Sequence, residues 1–197
     1  MRKHQKTDRL ILHAAKVLFE QEGISNVTFS EIADEAGICR TTVFNHFKTT
    51  EQLTGALALA EIDELLTYAA ETQKSGIELI MALFDRLIDD TANYPRVMTR
   101  LTNQFFLSPD GARMQQIEAL ISEHLLLDAA RMTWPTQTDF DADRMAQIIL
   151  GTYYGQVNHR LIGNLPFCRA EMKKEFQEIL YYIIGYKGEE ENGSFFN

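Results

Sequence analysis

Two helix-start signals bracket the most constrained stretch of this chain. Thr28 is followed three residues later by Glu31, and Thr49 is followed three residues later by Gln52. Both pairs match the capping-box pattern, in which the two side chains satisfy free amides at a helix N-terminus. Between them, the Ala-Gly-Ile sequence at 36–38 interrupts the apolar periodicity, as glycine does where a helix ends. The stretch therefore predicts a short helix, a tight turn, another short helix and then a long one.

Helical periodicity also dominates the rest of the chain. In the first helix, apolar residues recur at i, i+3, i+4, i+7 and i+8 from Ile11, and Gly23 is expected to end it. Proline and glycine mark the later boundaries, because neither continues a helix readily. We predict further helices near 39–47, 50–72, 76–93, 96–107, 111–131, 140–163 and 169–187. No stretch shows sustained strand alternation, so the predicted fold class is all-α.

Composition restricts the class of protein. The 197 residues are 45% hydrophobic and 24% charged, as in an ordinary soluble globular protein. No apolar run approaches the roughly 18 residues of a membrane span, and the N-terminus lacks the apolar core of a signal peptide. Cys39 and Cys168 lie far apart, without metal-type spacing. We expect a cytoplasmic protein with no membrane, metal or cofactor requirement.

The charge is distributed unevenly. The net charge of the chain is −9, yet residues 1–50 carry seven basic and six acidic residues. A locally basic end on an acidic body suits a protein that meets a polyanion at one end only. A solvated N-terminus explains the same pattern equally well.

The segment at 28–48 has the organisation of a helix-turn-helix. Val43 and Phe47 lie four residues apart and are predicted to face the first two helices. The outward positions are then Arg40, Thr41, Phe44, Asn45 and Lys48. Residues at the start of a recognition helix reach base edges, and flanking residues hold phosphates. The competing interpretation is a helical hairpin whose outer face is polar only because it is solvated.

Residues 28–53, "TFSEIADEAGICRTTVFNHFKTTEQL", closely resemble the DNA-binding segment of TetR-family transcriptional regulators. The resemblance extends back through "AAKVLFEQEG" at 14–23 and covers about 45 residues. The positions that match the family pattern are Thr28, Ile32, Ala33, Ala36, Gly37, His46, Phe47, Thr49 and Leu53, with Ile38 a conservative match. The rest of the chain agrees with the family in length and helical content but carries no motif of it.

The resemblance implies roles for individual residues in binding double-stranded DNA. Thr28 would hold a phosphate, and Phe44, His46 and Lys48 would lie along the DNA backbone. The residues that would face the major groove are Arg40, Thr41, Thr42 and Asn45. The alternative for His46 is that it caps or packs the end of its helix.

Two positions depart from the family pattern. The family usually has Tyr where this chain has Phe44, and Lys where it has Thr50. Both usual residues donate to phosphate oxygens, so their loss predicts weaker binding with a shallower salt dependence. We hypothesise that the basic residues Arg2, Lys3 and Lys6 compensate.

The resemblance also implies a division of the chain and a dimer. The predicted units are a DNA-binding domain at 1–49, a ligand-binding and dimerisation domain at 50–187, and a frayed tail at 188–197. A short recognition helix reads few base pairs, so two copies on a palindromic operator are expected. The candidate dimer residues are Tyr153, Val157, Phe176, Ile179, Leu180 and Ile183. These residues fit the core of a single chain equally well.

A small-molecule pocket is implied between the DNA-binding unit and the dimer face. The candidate lining residues are Phe84, Met98, Phe105, His124, Tyr154 and Asn158. Apolar walls with a few polar groups are typical of such sites, although aromatic residues of this kind are also common in a core.

These observations predict a ligand-responsive, dimeric DNA-binding regulator, with repression the family's usual action and activation left open. The effector remains an unknown small molecule. An enzyme is disfavoured, because the chain has no Gly-rich phosphate loop, no paired cysteines and no H-E-x-x-H motif. The alternative to the regulator is a helical ligand-binding protein with weakened or lost specific DNA binding.

Overall fold

The computed structural model describes residues 3–107, 112–134 and 140–187, so the predicted tail at 188–197 lies outside the described residues. Within these ranges all regular secondary structure is helical, which confirms the all-α prediction. The helices are α1 Lys3–Glu22, α2 Phe29–Glu35, α3 Arg40–His46, α4 Thr50–Glu71, α5 Gly76–Asn93, α6 Pro95–Leu107, α7 Ala112–Leu127, α8 Ala142–Ile162 and α9 Arg169–Ile184. Among the described helices, none combines the length and apolar character needed to cross a membrane.

Two helices end earlier than periodicity predicted. The helix predicted to reach 131 ends at Leu127, and a 3-10 turn at Ala129–Arg131 follows it. The last helix ends at Ile184 rather than near 187, because Gly185 takes a left-handed conformation with φ +59°. The apolar pattern continues past both ends, so it could not reveal these boundaries.

Two apolar clusters form the interior. The first joins α1, α2 and α3 to the beginnings of α4 and α6, and the second joins α5, α7, α8 and α9 to the rest of α4. The seven-residue helices α2 and α3 are too short to be stable alone, so they depend on Ile32 and Val43, which are fully buried in the first cluster. Because Leu53 and Val97 also belong to that cluster, its packing continues beyond the predicted domain boundary at 49.

Polar contacts join the first three helices to the larger unit. The carboxylate of Glu20 at the end of α1 accepts a hydrogen bond from the backbone amide of Val97, at 3.1 Å. Lys16 on α1 donates to Glu61 on α4 at 2.8 Å, and both side chains are largely buried. The orientation of α1 is therefore tied to both α4 and α6.

Candidate nucleic-acid interface and ligand cavity

The capping box predicted at the start of α2 is present in full. The hydroxyl of Thr28 accepts from the amide of Glu31 at 3.3 Å, and a Glu31 carboxylate oxygen accepts from the amide of Thr28 at 2.7 Å. The hydrogen bonds that the Glu31 carboxylate accepts from the amide and the hydroxyl of Thr28 lower the pKa of Glu31. Thr28 is exposed, but its hydroxyl also donates to Glu31, at 2.8 Å.

The turn between α2 and α3 requires a glycine. Gly37 has φ +65°, a conformation that residues with a Cβ rarely adopt. The amide of Ile38 then donates to the carbonyl of Ala33 at 2.9 Å and closes the end of α2. This turn directs the chain into α3 with Val43 and Phe47 buried, as their spacing predicted.

The residues predicted to contact DNA lie mainly on the outer side of α3 and just beyond it. Of those on α3 or just beyond it, Thr42 and His46 are half-buried, and the exposed ones are Arg40, Thr41, Phe44, Asn45 and Lys48. Lys48 donates to the carbonyl of Phe44 at 2.7 Å, and its ammonium lies 4.7 Å from the centre of the Phe44 ring. The Phe44 ring is 51% exposed although apolar, and its only described ring partner is the edge of Phe29. The helix therefore presents hydrogen-bond donors around one exposed aromatic ring.

His46 differs from its neighbours because it is tied to α1. Its side chain is only 10% exposed, and its Nδ1 atom lies 2.6 Å from a carboxylate oxygen of Asp8. The side chain thus anchors the end of α3 on the first helix, in agreement with the packing alternative for this residue. Sequence reasoning did not single out Asp8, and its distance from His46 along the chain left no local signal.

Cys39 precedes α3 and was not among the predicted site residues. The hydroxyls of Thr41 and Thr42 lie 3.5 Å and 2.9 Å from its sulfur atom. These hydrogen bonds, with that from Thr41 the larger influence, lower the pKa of the exposed thiol from 9.0 to about 7. An exposed and partly ionised thiol therefore lies at the N-terminus of the candidate recognition helix.

The second predicted capping box is only partly formed. Thr49 accepts from the amide of Gln52 at 3.2 Å, as expected. The side chain of Gln52 instead accepts from the amide of Lys48 at 2.9 Å, one residue earlier than the pattern implies. The contact links the end of the helix-turn-helix directly to the first turn of α4.

A small cavity of about 40 Å³ lies between α4, α5, α6, α7 and α8. Its walls are mainly apolar, and its polar groups belong to Glu61, Thr102, Tyr153 and Tyr154. Burial raises the pKa of Glu61, an effect that nearby Lys16 opposes. Burial also raises the pKa of Tyr153 to about 12, so its hydroxyl stays protonated in the physiological range. Glu61 and Thr102 were missed from the sequence, since neither stands out from ordinary helix positions.

Of the predicted ligand residues whose side chains the structure describes, Met98 and Tyr154 line this cavity. Phe84 instead lies in the core, stacked on Phe176 with ring centroids 4.3 Å apart. His124 accepts from the amide of Gly76 at 2.9 Å and so caps α5. Asn158 donates to the carbonyl of Tyr154 within its own helix, and the side chain of Phe105 lies outside the described residues.

The predicted dimer residues need a correction. Four of the six, Tyr153, Val157, Phe176 and Leu180, are at most 2% exposed and pack in the chain's own core, so they offer no surface to a partner. Periodicity identified an apolar stripe but not which neighbour covers it. Of the other two, Ile179 is 43% exposed and Ile183 is half-buried.

The outer side of α8 and α9 carries a different set of residues. Gly151 and Gly155 are exposed on α8, and a Cβ atom built on either would meet nothing within 4 Å. Ile162 at the end of α8 is 85% exposed, and Tyr182 on α9 is 88% exposed. In the part of the chain that the structure describes, no other residue covers these apolar side chains.

Comparison with known proteins agrees with this architecture. The family model described as bacterial regulatory proteins, tetR family, matches residues 11–57. An HTH-type transcriptional regulator from Staphylococcus aureus (strain USA300) is 30% identical over 92 residues, which are 45% of this chain and 50% of that protein. The chain therefore spans about half the length of the curated relatives it matches.

Two solved structures share the fold. A TetR-family transcriptional regulator from Agrobacterium tumefaciens superposes with a TM-score of 0.67 at 18% identity, over 92% of this chain and all of that chain. FadR from Thermus thermophilus, a TetR-family repressor in complex with lauroyl-CoA, superposes with a TM-score of 0.54 at 22% identity, over 95% of this chain and 100% of that chain. Residues 11–57 therefore match the DNA-binding segment of the TetR family, and the chain shares its fold with solved TetR-family structures.

Proposed function

We propose that the protein is a ligand-responsive transcriptional regulator that binds a palindromic operator as a homodimer. The observation that carries the proposal is the exposed row of donors on α3, held by the buried Val43 and Phe47 within the matched segment. The Staphylococcus aureus relative is an HTH-type transcriptional regulator. Repression is the proposed action, which the description of Thermus thermophilus FadR as a repressor supports, and the proposed location is the cytoplasm.

The proposed contacts with DNA are of two kinds: contacts to base edges, which recognise the sequence, and contacts to phosphates, which position the protein. Arg40 pairs well with guanine O6 and N7, and Asn45 pairs well with adenine N6 and N7 in the major groove. Lys48 lies beside the exposed Phe44 ring and is the natural phosphate ligand at the end of α3. Thr28 and His46 are proposed as further contacts to the DNA backbone. The hydroxyl of Thr28 already donates to Glu31, and the imidazole of His46 is already bonded to Asp8, so each is less free to bind a phosphate.

The outer face of α8 and α9 is the proposed dimer interface. Gly151 and Gly155 leave room for the backbone of a partner helix, and Ile162, Ile179 and Tyr182 supply apolar area. Two recognition helices about 34–36 Å apart fit successive half-sites of one operator. Association would remove these apolar side chains from contact with water, and this burial would stabilise the dimer.

The cavity beside Glu61 is the proposed effector site. Its apolar walls and few polar groups are typical of small-molecule sites, and FadR from Thermus thermophilus, which shares the fold, is in complex with lauroyl-CoA. At about 40 Å³ the cavity is much smaller than the roughly 300–1,000 Å³ of a drug-sized ligand site, so an effector of that size would have to move the surrounding helices apart. Glu61 accepts a hydrogen bond from Lys16 on α1. A ligand bound in the cavity beside Glu61 would therefore act directly on a contact that orients the DNA-binding helices. An effector shifts the protein between arrangements only by its difference in affinity for them.

The test is the binding of purified protein to DNA that flanks its own gene, followed by fluorescence anisotropy. We expect Arg40→Ala and Asn45→Ala each to reduce discrimination by about 1–3 kcal/mol, because each loses a bidentate base contact. Arg86→Ala is the matched control, since Arg86 is exposed on α5, where its guanidinium lies over Tyr68.

Full discrimination in both variants would contradict the assignment of the reading residues. An absence of sequence-specific binding by the wild-type protein, with a ligand still raising its melting temperature, would support the alternative of a ligand-binding protein that no longer reads DNA. The loss of phosphate donors at Phe44 and Thr50 is the observation that favours this alternative.

A further inference from the structure

Three side chains that can ligate a metal meet where α1 passes the end of α3. The Nδ1 atoms of His4 and His46 lie 3.0 Å and 2.6 Å from the two carboxylate oxygens of Asp8. The two imidazole rings also lie against each other, with centroids 4.1 Å apart. One ligand atom from each of the three residues lies within 4.8 Å of the other two.

We propose that His4, Asp8 and His46 form a binding site for a divalent transition-metal cation, represented here by Zn²⁺. Two imidazoles and one carboxylate are a ligand set that suits Zn²⁺ and its first-row neighbours, whereas Mg²⁺ prefers oxygen ligands alone. The site is separate from the effector cavity. It shares His46 with the proposed contacts to the DNA backbone, but metal binding is measured without DNA and so is tested independently of operator binding.

The geometry needs only a small adjustment to hold the ion. Bonds of about 2.0–2.2 Å in a tetrahedral site place the ligand atoms roughly 3.4 Å apart. His4 has the freedom to close the difference, because its side chain is 71% exposed in the first turn of α1. His46 and Asp8 are hydrogen-bonded at 2.6 Å, so binding the ion replaces this hydrogen bond: the two ligand atoms move about 0.8 Å apart and the proton between them is released. Three protein ligands leave a fourth position for water.

A metal bound there links the first helix to the end of the candidate recognition helix. His46 follows Asp8 by 38 residues, so the ion closes a chain segment that contains all of α2 and α3. A ligand that binds only the folded form stabilises it by RT ln(1 + [L]/Kd), so the effect grows with the logarithm of the ligand concentration. Zn²⁺ is therefore expected to raise the melting temperature of the protein.

The test is a Zn²⁺ titration of tag-free protein, with a chromophoric chelator as competitor. A background of Cys39→Ser and Cys168→Ser removes the thiols, so that they do not contribute ligands. We expect one Zn²⁺ per chain, reversal by EDTA, and no comparable effect of Mg²⁺. His4→Ala and Asp8→Asn should each weaken Zn²⁺ binding at least about tenfold, because each removes one of three protein ligands.

His13→Ala is the matched control, since His13 is also an exposed histidine on α1 but is not part of the cluster. Circular dichroism melts in EDTA verify that the variants are folded. The conclusion rests on the exposed His4 and on Asp8, because the half-buried His46 also anchors α3. Wild-type affinity in both His4→Ala and Asp8→Asn, or no Zn²⁺ binding by the wild-type protein at micromolar concentration, would overturn the proposal.

Discussion

At the residue scale, the environment of Cys39 leads to a prediction about reactivity. Because hydrogen bonds from Thr41 and Thr42 lower its pKa to about 7, the reactive thiolate fraction should rise steeply between about pH 6 and 8. We expect alkylation of Cys39 by iodoacetamide, followed by mass spectrometry, to have a midpoint near pH 7. In the Thr41→Val/Thr42→Val variant, the midpoint should move towards 9.0 and the rate at pH 7 should fall.

Cys168 is the internal reference for this measurement, since it is half-buried and reacts in the same sample. A midpoint for Cys39 that is unchanged by the loss of both hydroxyls would show that they do not stabilise the thiolate.

At the scale of secondary-structure elements, the Lys16–Glu61 pair couples α1 to α4. The two side chains are 12% and 10% exposed, so removing one partner leaves a charge with little access to water. We expect Glu61→Gln and Lys16→Met each to lower the free energy of unfolding, by about 3 kcal/mol. The double variant should lose clearly less than the two single losses combined, because neither charge then remains.

Urea unfolding of the four proteins forms the double-mutant cycle that measures this coupling. Additive losses would mean that the pair does not couple the two helices, and that Asp90, 3.7 Å from Lys16, is a sufficient partner. The Lys74–Glu78 pair is a suitable control, since it lies within one region of the chain and is more exposed.

At the scale of the whole molecule, the outer face of α8 is the place to test the proposed dimer. Gly155 is exposed and has free space around it, so Gly155→Arg fits the single chain while placing a bulky charge in the proposed interface. We expect analytical ultracentrifugation to show a dimer for the wild-type protein and a monomer for this variant. Circular dichroism should show unchanged helix content, because arginine favours a helix more than glycine does.

Ala119→Arg is the matched control, since it adds the same side chain to an exposed position of α7. A dimeric Gly155→Arg variant would move the interface away from this face, and a monomeric wild-type protein at micromolar concentration would contradict the proposed dimer.

Local interactions made much of the helix-turn-helix predictable from the sequence. The capping box of Thr28, the left-handed turn at Gly37 and the burial of Val43 and Phe47 all follow from contacts a few residues apart. These features are encoded in short patterns, because hydrogen bonds and helix periodicity within one or two turns determine them. The all-α fold and the approximate positions of most helices were predictable for the same reason.

The tertiary structure alone decided which faces are buried and which distant residues meet. Periodicity marked Tyr153 and Phe176 as apolar, but an apolar stripe packs equally well against its own chain or a second copy. The Lys16–Glu61 and Asp8–His46 contacts join residues 45 and 38 positions apart, and no local pattern specifies such pairs. By itself, the sequence determined the helices and the residue types on the outer side of α3, the candidate DNA-binding surface. The packing of those helices placed the cavity, the core and the metal-ligand cluster, because these depend on contacts between elements distant in sequence.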